Sequence, residues 1–172
     1  NGKKLTATMK VNAVKLPLKI KQKTTVLKVS GLANGDSVAS WKSGNTKVVK
    51  VSGEPNGTCT LAAGRKKGKT TITIILKSGL KKKITITVQK AAVKTSKITG
   101  MPKNLKLKKN QTVTLKAAAA PLTSLQKLKY KSSNKKIVTV TSKGVIKAKK
   151  KGKAVITVQS GSKTVKCKVT VK

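Results

Sequence analysis

Apolar and polar residues alternate along much of the chain in short runs. In Lys83-Ile84-Thr85-Ile86-Thr87-Val88 and in Val165-Lys166-Cys167-Lys168-Val169, apolar side chains occupy every second position and Lys or Thr fills the others. A period of two is that of a β-strand with one buried side, and the branched aliphatic residues and Thr favour strands. Because Gly and Asn separate these runs, as in Ser160-Gly161, the pattern predicts short strands joined by close turns.

The chain contains two copies of one pattern. Trp41-Lys42-Ser43-Gly44-Asn45 lines up with Tyr130-Lys131-Ser132-Ser133-Asn134, and the basic turn Arg65-Lys66-Lys67-Gly68-Lys69 lines up with Lys149-Lys150-Lys151-Gly152-Lys153. The first copy is longer by about five residues, a surplus assigned to the turn-forming stretch at 53–57, which predicts an enlarged hairpin. We place the first domain at residues 1–90 and the second at residues 91–172.

Each copy has the strand spacing of a β-sandwich. About seven short strands with close turns fit into each, which is typical of immunoglobulin-like domains. The run at 117–120 consists of alanines, but Pro121 ends it, and we interpret it as a strand of small residues. Trp41 and Tyr130 occupy the same repeat position, which predicts one large core residue per sandwich, with a stacking platform for sugars or bases as the alternative. The predicted fold class is all-β, with two tandem immunoglobulin-like β-sandwich domains.

Composition excludes most catalytic chemistry. The chain has 42 Lys and Arg against 2 acids, a formal net charge of +40, and no His. It therefore has no Ser-His-Asp arrangement and no His metal site. The carboxylates Asp36 and Glu54 both lie in Gly- or Pro-containing turns, where a turn-stabilising role for Asp36 is favoured over paired acid–base work. We expect a protein that is not an enzyme and holds no metal or cofactor.

The same composition first raises the possibility of disorder, since high charge combined with only 37% hydrophobic residues is typical of unfolded chains. The regular spacing of Val, Ile and Leu argues for folded domains instead. No apolar run is long enough to span a membrane. Cys59 and Cys167 are not equivalent in the repeat, so we expect two small, partly buried residues and disfavour a shared disulfide.

Several segments of the second copy occur in the order and spacing of a known type of domain. Leu105-Lys106-Leu107-Lys108-Lys109-Asn110-Gln111-Thr112-Val113-Thr114-Leu115 has the form of an opening strand pair, and Pro121 stands where a strand ends. The segment 130–134, the Gly-containing hairpin at 142–148 and the strand at 152–158 follow. Together these segments resemble the group 2 bacterial immunoglobulin-like domains.

This resemblance covers nearly the whole chain, although in the first copy Leu32 replaces the proline and the hairpin is enlarged. It implies repeated extracellular modules of bacterial surface proteins, some adhesive and many acting only as spacers, and it transfers no catalytic residue. We therefore expect an extracellular or cell-surface location, with this chain, which starts at Asn1 without a signal peptide, as a fragment of a larger secreted protein. Strong basicity is not a general trait of the family, so function must be argued from the lysines.

Lysines occupy outward positions of the predicted strands and cluster at turns. Along one face of a strand, residues i and i+2 lie roughly 6–7 Å apart, close to the charge spacing of sulfated sugars and phosphodiesters. A surface serving only solubility would mix both signs of charge, whereas the second copy has no acid at all. The predicted polyanion-binding residues are Arg65, Lys66, Lys67, Lys69, Lys81, Lys82, Lys83, Lys106, Lys108, Lys127, Lys129, Lys131, Lys135, Lys136, Lys149, Lys150, Lys151, Lys153, Lys166 and Lys168.

The choice of polyanion depends on the kinds of cation and aromatic present. Base readers favour Arg and stacking aromatics, and this chain has one Arg and no spare aromatic. Lysine suits diffuse attraction to sulfated glycosaminoglycans, teichoic acids, anionic lipid or DNA. With the extracellular resemblance, the favoured partner is a sulfated glycosaminoglycan such as heparan sulfate on a host cell, bound by a monomeric rod. The alternatives are sequence-independent binding of DNA or RNA, and a passive cell-wall spacer.

Overall fold

The computed structural model describes residues 8–172, and this part of the chain consists of strands, turns and loops without a helix. It divides into two compact units between Val93 and Lys94, a few residues beyond the boundary placed at residue 90 from the repeat. The all-β class predicted from the alternation of apolar and polar residues is confirmed.

The described part of the first unit has nine strands in two-, three- and four-stranded sheets. They are β1 (Lys10–Val11), β2 (Lys15–Lys19), β3 (Lys23–Thr24), β4 (Val29–Ser30), β5 (Val38–Ser43), β6 (Val49–Gly53), β7 (Cys59–Ala63), β8 (Gly68–Leu76) and β9 (Lys81–Gln89). The four-stranded sheet has the order β2-β9-β8-β5 and the three-stranded sheet has the order β3-β7-β6, while β1 pairs with β4. Only the β2-β9 pair is parallel.

The second unit repeats this arrangement. Its strands are β10 (Lys97–Thr99), β11 (Asn104–Leu107), β12 (Thr112–Thr114), β13 (Ala118–Ala120), β14 (Lys129–Ser132), β15 (Val138–Val140), β16 (Val145–Ala148), β17 (Gly152–Ser160) and β18 (Lys163–Val171). The four-stranded sheet has the order β11-β18-β17-β14, with β11 parallel to β18, and the three-stranded sheet has the order β12-β16-β15. The alanine run forms a strand as expected, because β13 pairs with β10.

Two details differ from the sequence-based expectation. Nine strands form in the described part of each unit where about seven were expected, because strands such as β1, β4 and β10 are too brief to show a periodic pattern. The segments at 105–108 and 112–115 do not pair with each other. Strand β11 joins β18 in one sheet and β12 joins β16 in the other, so the turn between them crosses from sheet to sheet.

The core of each unit follows from the alternation. Along β8 and β9, Ile72, Ile74, Ile84 and Ile86 are fully buried, while the residues between them are exposed or half-buried. In the second unit Ile156 pairs with Cys167 and both are fully buried. Burying an Ile side chain contributes roughly 1.5–3 kcal/mol, so these positions supply much of the energy that opposes repulsion among the lysines.

The two aromatic residues are packed against the cores. Trp41 and Tyr130 are half-buried against the clusters of the first and second units. The Trp41 Nε1 donates to the Glu54 carbonyl at 3.3 Å, and a Cβ at Gly53 would overlap the indole ring. The enlarged hairpin of the first unit therefore folds against the tryptophan, which requires glycine at that contact.

The length difference between the copies is divided between two places. Val51 pairs with Leu61 in the first unit and Val140 with Ile146 in the second, so nine residues span the first hairpin and five span the second. The remaining extra residue lies in the next turn, where Gly64 precedes Arg65. From the sequence, all five extra residues were expected around 53–57, whereas the structure places four of them in that hairpin and one in the next turn.

Cys59 and Cys167 are free thiols buried in the cores of different units, so the disfavoured disulfide is absent. Burial raises the pKa of the Cys59 thiol to about 11 and also raises the pKa of Cys167. Both thiols are therefore protonated and shielded in the folded protein, and thiolate is the reactive form.

We predict that neither thiol reacts with a disulfide reagent at pH 8 while the protein is folded, and that both react in denaturant. Absorbance of the released thiolate measures the reaction. Cys59→Ala and Cys167→Ala variants assign each thiol to its unit. Complete labelling of the native protein within minutes would contradict the burial of these side chains.

Candidate functional site

The charge of this protein lies on its surface. Among the described residues every lysine is exposed except Lys82, and Arg65 is exposed as well. The half-buried Lys82 donates from Nζ to the Met9 carbonyl at 3.3 Å, so it is a poor candidate for ligand binding. The group at 81–83 was expected in a turn, but the structure places it at the start of β9, where only Lys81 and Lys83 face outward.

Six lysines share the outward side of the four-stranded sheet of the second unit. The neighbours that alternate with them, such as Val169 and Ile156, are buried, which directs the lysines to solvent. All six were predicted from the sequence, and the structure brings them onto one surface. We call this surface the second lysine face, and it contains Lys106, Lys129, Lys131, Lys153, Lys166 and Lys168.

The strand pairing sets the spacing on the second lysine face. Lys166 pairs with Thr157, which in turn pairs with Lys131, so two lysines flank a threonine across three strands. Neighbouring strands lie about 4.8 Å apart and alternate residues about 6.7 Å apart. The ammonium groups therefore form a two-dimensional array in which every lysine has neutral polar neighbours.

The first unit presents an equivalent array. The first lysine face is the outward side of its four-stranded sheet, and it contains Lys15, Lys19, Lys42, Lys69, Lys81 and Lys83. Sequence reasoning missed Lys15, Lys19 and Lys42. The signal was available, because Lys15 and Lys19 flank an alternating Leu-Pro-Leu run and Lys42 aligns with Lys131 in the repeat.

The predicted turn clusters gather at one end of the second unit, which we call the second basic end. Backbone hydrogen bonds join the turns there, from Lys149 N to the Ile137 carbonyl at 2.7 Å and from Asn110 N to the Ala148 carbonyl at 2.9 Å. The sequence placed Lys108 on a strand beside Lys106, but β11 ends at Leu107 and Lys108 belongs to this end. The second basic end contains Lys108, Lys109, Lys135, Lys136, Lys149, Lys150 and Lys151.

Corresponding turns meet in the first unit. Gly64 N donates to the Val48 carbonyl at 2.8 Å, which brings Arg65, Lys66 and Lys67 beside Lys47. A shallow depression of about 600 Å³ opens between these residues. Lys127 is exposed in the loop before β14, two residues before Lys129 of the second lysine face.

The opposite sheets are much less charged. The outward side of β12-β16-β15 presents Thr112, Thr114 and Thr139 around the single Lys147. In the first unit the corresponding side has Lys23 and Lys50 flanking Ala62. Each sandwich therefore has one strongly basic face and one largely neutral face.

The carboxylate of Asp36 is engaged in hydrogen bonds between two loops. Asp36 Oδ2 accepts from the Ser78 hydroxyl at 2.7 Å, and Oδ1 accepts from the backbone N–H of Ser37 at 2.9 Å and of Ser78 at 3.2 Å. The Ser78 hydroxyl is the main cause that holds the pKa of Asp36 below its ordinary value. Asp36 thus connects the loop before β5 to the β8-β9 turn. Among residues 8–172 no group of His, Cys, Asp or Glu has the size needed to hold a metal ion.

The strand order and the two cores define each unit as an immunoglobulin-like β-sandwich. Residues 94–171 match the family described as bacterial Ig-like domain (group 2), and the second unit belongs to that family. The resemblance drawn from its sequence segments is thereby confirmed. Within the described residues no helix is long and apolar enough to cross a membrane.

Comparison with other proteins gives one curated relative and several solved structures. Kappa-carrageenase of Pseudoalteromonas carrageenovora is 44% identical over 66 residues, which are 38% of this chain and 17% of the enzyme. Domains 5–6 of the S-layer protein SbsC are 21% identical, with 96% of this chain and 97% of that chain covered and a TM-score of 0.47. Human mucin-like protocadherin EC1-2 is 8% identical, with coverage of 97% and 99% and a TM-score of 0.37.

We predict that Asp36→Asn destabilises the first unit at neutral pH and that the difference from wild type shrinks in acid. Because folding lowers the pKa of Asp36, its contribution is present above the unfolded-state pKa and is lost as the pH falls through the folded-state pKa. Urea unfolding at a series of pH values measures it. Glu54→Gln, which removes the same charge from an exposed turn, is the control and should change stability less.

Proposed function

We propose that this protein is a non-catalytic extracellular module that binds sulfated polysaccharides electrostatically, with sulfated glycosaminoglycans such as heparan sulfate as the favoured partner. The observation that supports this proposal most directly is the pair of lysine faces. Each presents six lysines on one sheet surface, and no acidic side chain lies on either face.

The physical basis is relief of repulsion. Two ammonium groups 7 Å apart repel each other by about 0.6 kcal/mol in bulk water, and screening reduces this with a Debye length of about 8 Å at physiological salt. No nearby carboxylate offsets that repulsion on the lysine faces. A polyanion that follows the array neutralises many ammonium groups at once and releases condensed counterions, which gives tight but salt-sensitive binding.

Two features favour a sulfated polysaccharide over a nucleic acid. Trp41 and Tyr130 are packed against the cores, which leaves no aromatic platform for stacked bases. The neutral residues between the lysines include Thr157, Thr164 and Thr170, whose hydroxyl groups suit the hydroxyl-rich rings of a sugar.

We predict that the protein is retained on heparin at physiological ionic strength, about 0.15 M, and elutes only at much higher salt. Replacing the six lysines of the second lysine face with Gln should lower the eluting salt substantially. A matched control replaces six exposed lysines outside that face and the second basic end, namely Lys94, Lys97, Lys116, Lys127, Lys143 and Lys147. Elution of the wild type below physiological salt would refute the proposal.

Competition at fixed ionic strength separates the ligand classes. Heparin, chondroitin sulfate and duplex DNA are added in turn to the protein bound on a heparin surface, at equal concentrations of negative charge. We expect the sulfated polysaccharides to displace the protein more effectively than DNA. More effective displacement by DNA would favour the nucleic-acid alternative, and failure of the protein to bind the heparin surface at all would favour a passive spacer.

A further inference from the structure

On the second lysine face, three lysines lie around the hydroxyl group of Thr170, next to a depression in the surface. Thr170 on β18 pairs with Lys106 of β11 on one side and with Lys153 of β17 on the other. Lys168 lies two residues earlier on β18 and points the same way. The three lysines therefore form a triangle around Thr170, with Cα separations of roughly 7–10 Å.

A depression adjoins this triangle. It has a volume of about 440 Å³ and is lined in part by Lys153, Lys168, Thr170, Asn104 and Val155. Asn104 and Val155 pair with Lys168 from opposite sides, so they flank it on the sheet surface. The depression thus combines two cations, an amide, a hydroxyl group and a half-buried apolar side chain, and Lys106 lies beside it as the strand partner of Thr170.

From this arrangement we infer that the triangle of Lys106, Lys153 and Lys168 is a discrete subsite for one sulfate ester of a polysaccharide. The lysine ammonium groups and the Thr170 hydroxyl donate to the sulfate oxygens. The Asn104 amide bonds a ring hydroxyl, and Val155 contacts an apolar edge of the sugar. This inference rests on the proposed function and goes further. Diffuse attraction requires no fixed binding position, whereas the subsite holds one sulfate group at defined residues.

The first unit provides an internal comparison. Thr87 takes the place of Thr170, and Lys69 takes the place of Lys153 beside it. Pro17 stands where the second unit has Lys106, and Thr85 stands where it has Lys168. Only one of the three triangle positions therefore holds a cation. Lys15 also lines the neighbouring depression, which is smaller, about 210 Å³. The two faces carry equal numbers of lysines, but only the second has lysines at all three positions around the threonine beside its depression.

The first experiment compares two variants of the full chain that lose the same charge from the same face. Lys106→Gln/Lys168→Gln removes two corners of the triangle, and Lys129→Gln/Lys166→Gln leaves the triangle intact. Calorimetric titration with a heparin tetrasaccharide at 0.15 M salt should show about a tenfold loss of affinity for the first variant and a much smaller loss for the second. Equal losses would overturn the subsite.

The second experiment transplants the triangle. Pro17→Lys/Thr85→Lys is added to the Lys106→Gln/Lys168→Gln background and should restore tetrasaccharide affinity. Ser52→Lys/Thr60→Lys in the same background adds the same charge to the opposite, less charged sheet and should restore little. Equal restoration by both would overturn the subsite. Native thiol protection of Cys59 and Cys167 verifies folding of each variant.

The two proposals fail in different ways. If long-chain heparin still retains every variant while the tetrasaccharide does not distinguish them, the subsite is wrong and distributed binding stands. If the wild type is not retained on heparin above physiological salt, the proposed function itself is wrong.

Discussion

The pleat of the long antiparallel pairs is the constraint on which the rest of the structure depends. Strands β17 and β18 pair over nine residues, and so every second side chain enters the core while its neighbour faces solvent. A shift of one residue in this register would move Lys166 and Lys168 into the core and expose Cys167 and Val169. The same register that builds the sandwich therefore also builds the second lysine face.

The excess of basic over acidic residues determines the character of the solvent-facing side chains. With 42 basic residues and 2 acids, the folded chain has almost no internal means of neutralising its surface. The cores use Ile, Leu and Val with few aromatics, and the lysines project outward, where water and counterions screen them. The lysines on the folded surface repel one another, and an anion that binds among them reduces this repulsion. The proposed ligand and the proposed subsite both draw on this property.

The carboxylate of Asp36 and the two thiols are hydrogen-bonded or buried in the folded protein. Asp36 is engaged by Ser78 and Ser37, and both cysteines are buried. The two units differ instead at two surface positions, where the first has neutral residues and the second has lysines. Lys106 and Lys168 in the second unit stand where the first unit has Pro17 and Thr85. They complete the triangle around Thr170 although both faces have the same number of lysines.

The sequence by itself determined the fold class, the duplicated pattern and the direction of most lysines, because a period of two in Lys166-Cys167-Lys168 assigns side chains to faces without tertiary information. It could not show which strands are neighbours. Parallel pairing of β11 with β18 joins residues more than sixty positions apart and places Lys106 beside Thr170. The equivalent pairing of β2 with β9 assigns Lys15 to the first lysine face. Long-range pairing depends on how two sheets close around one core, so tertiary structure alone decided where the charges meet.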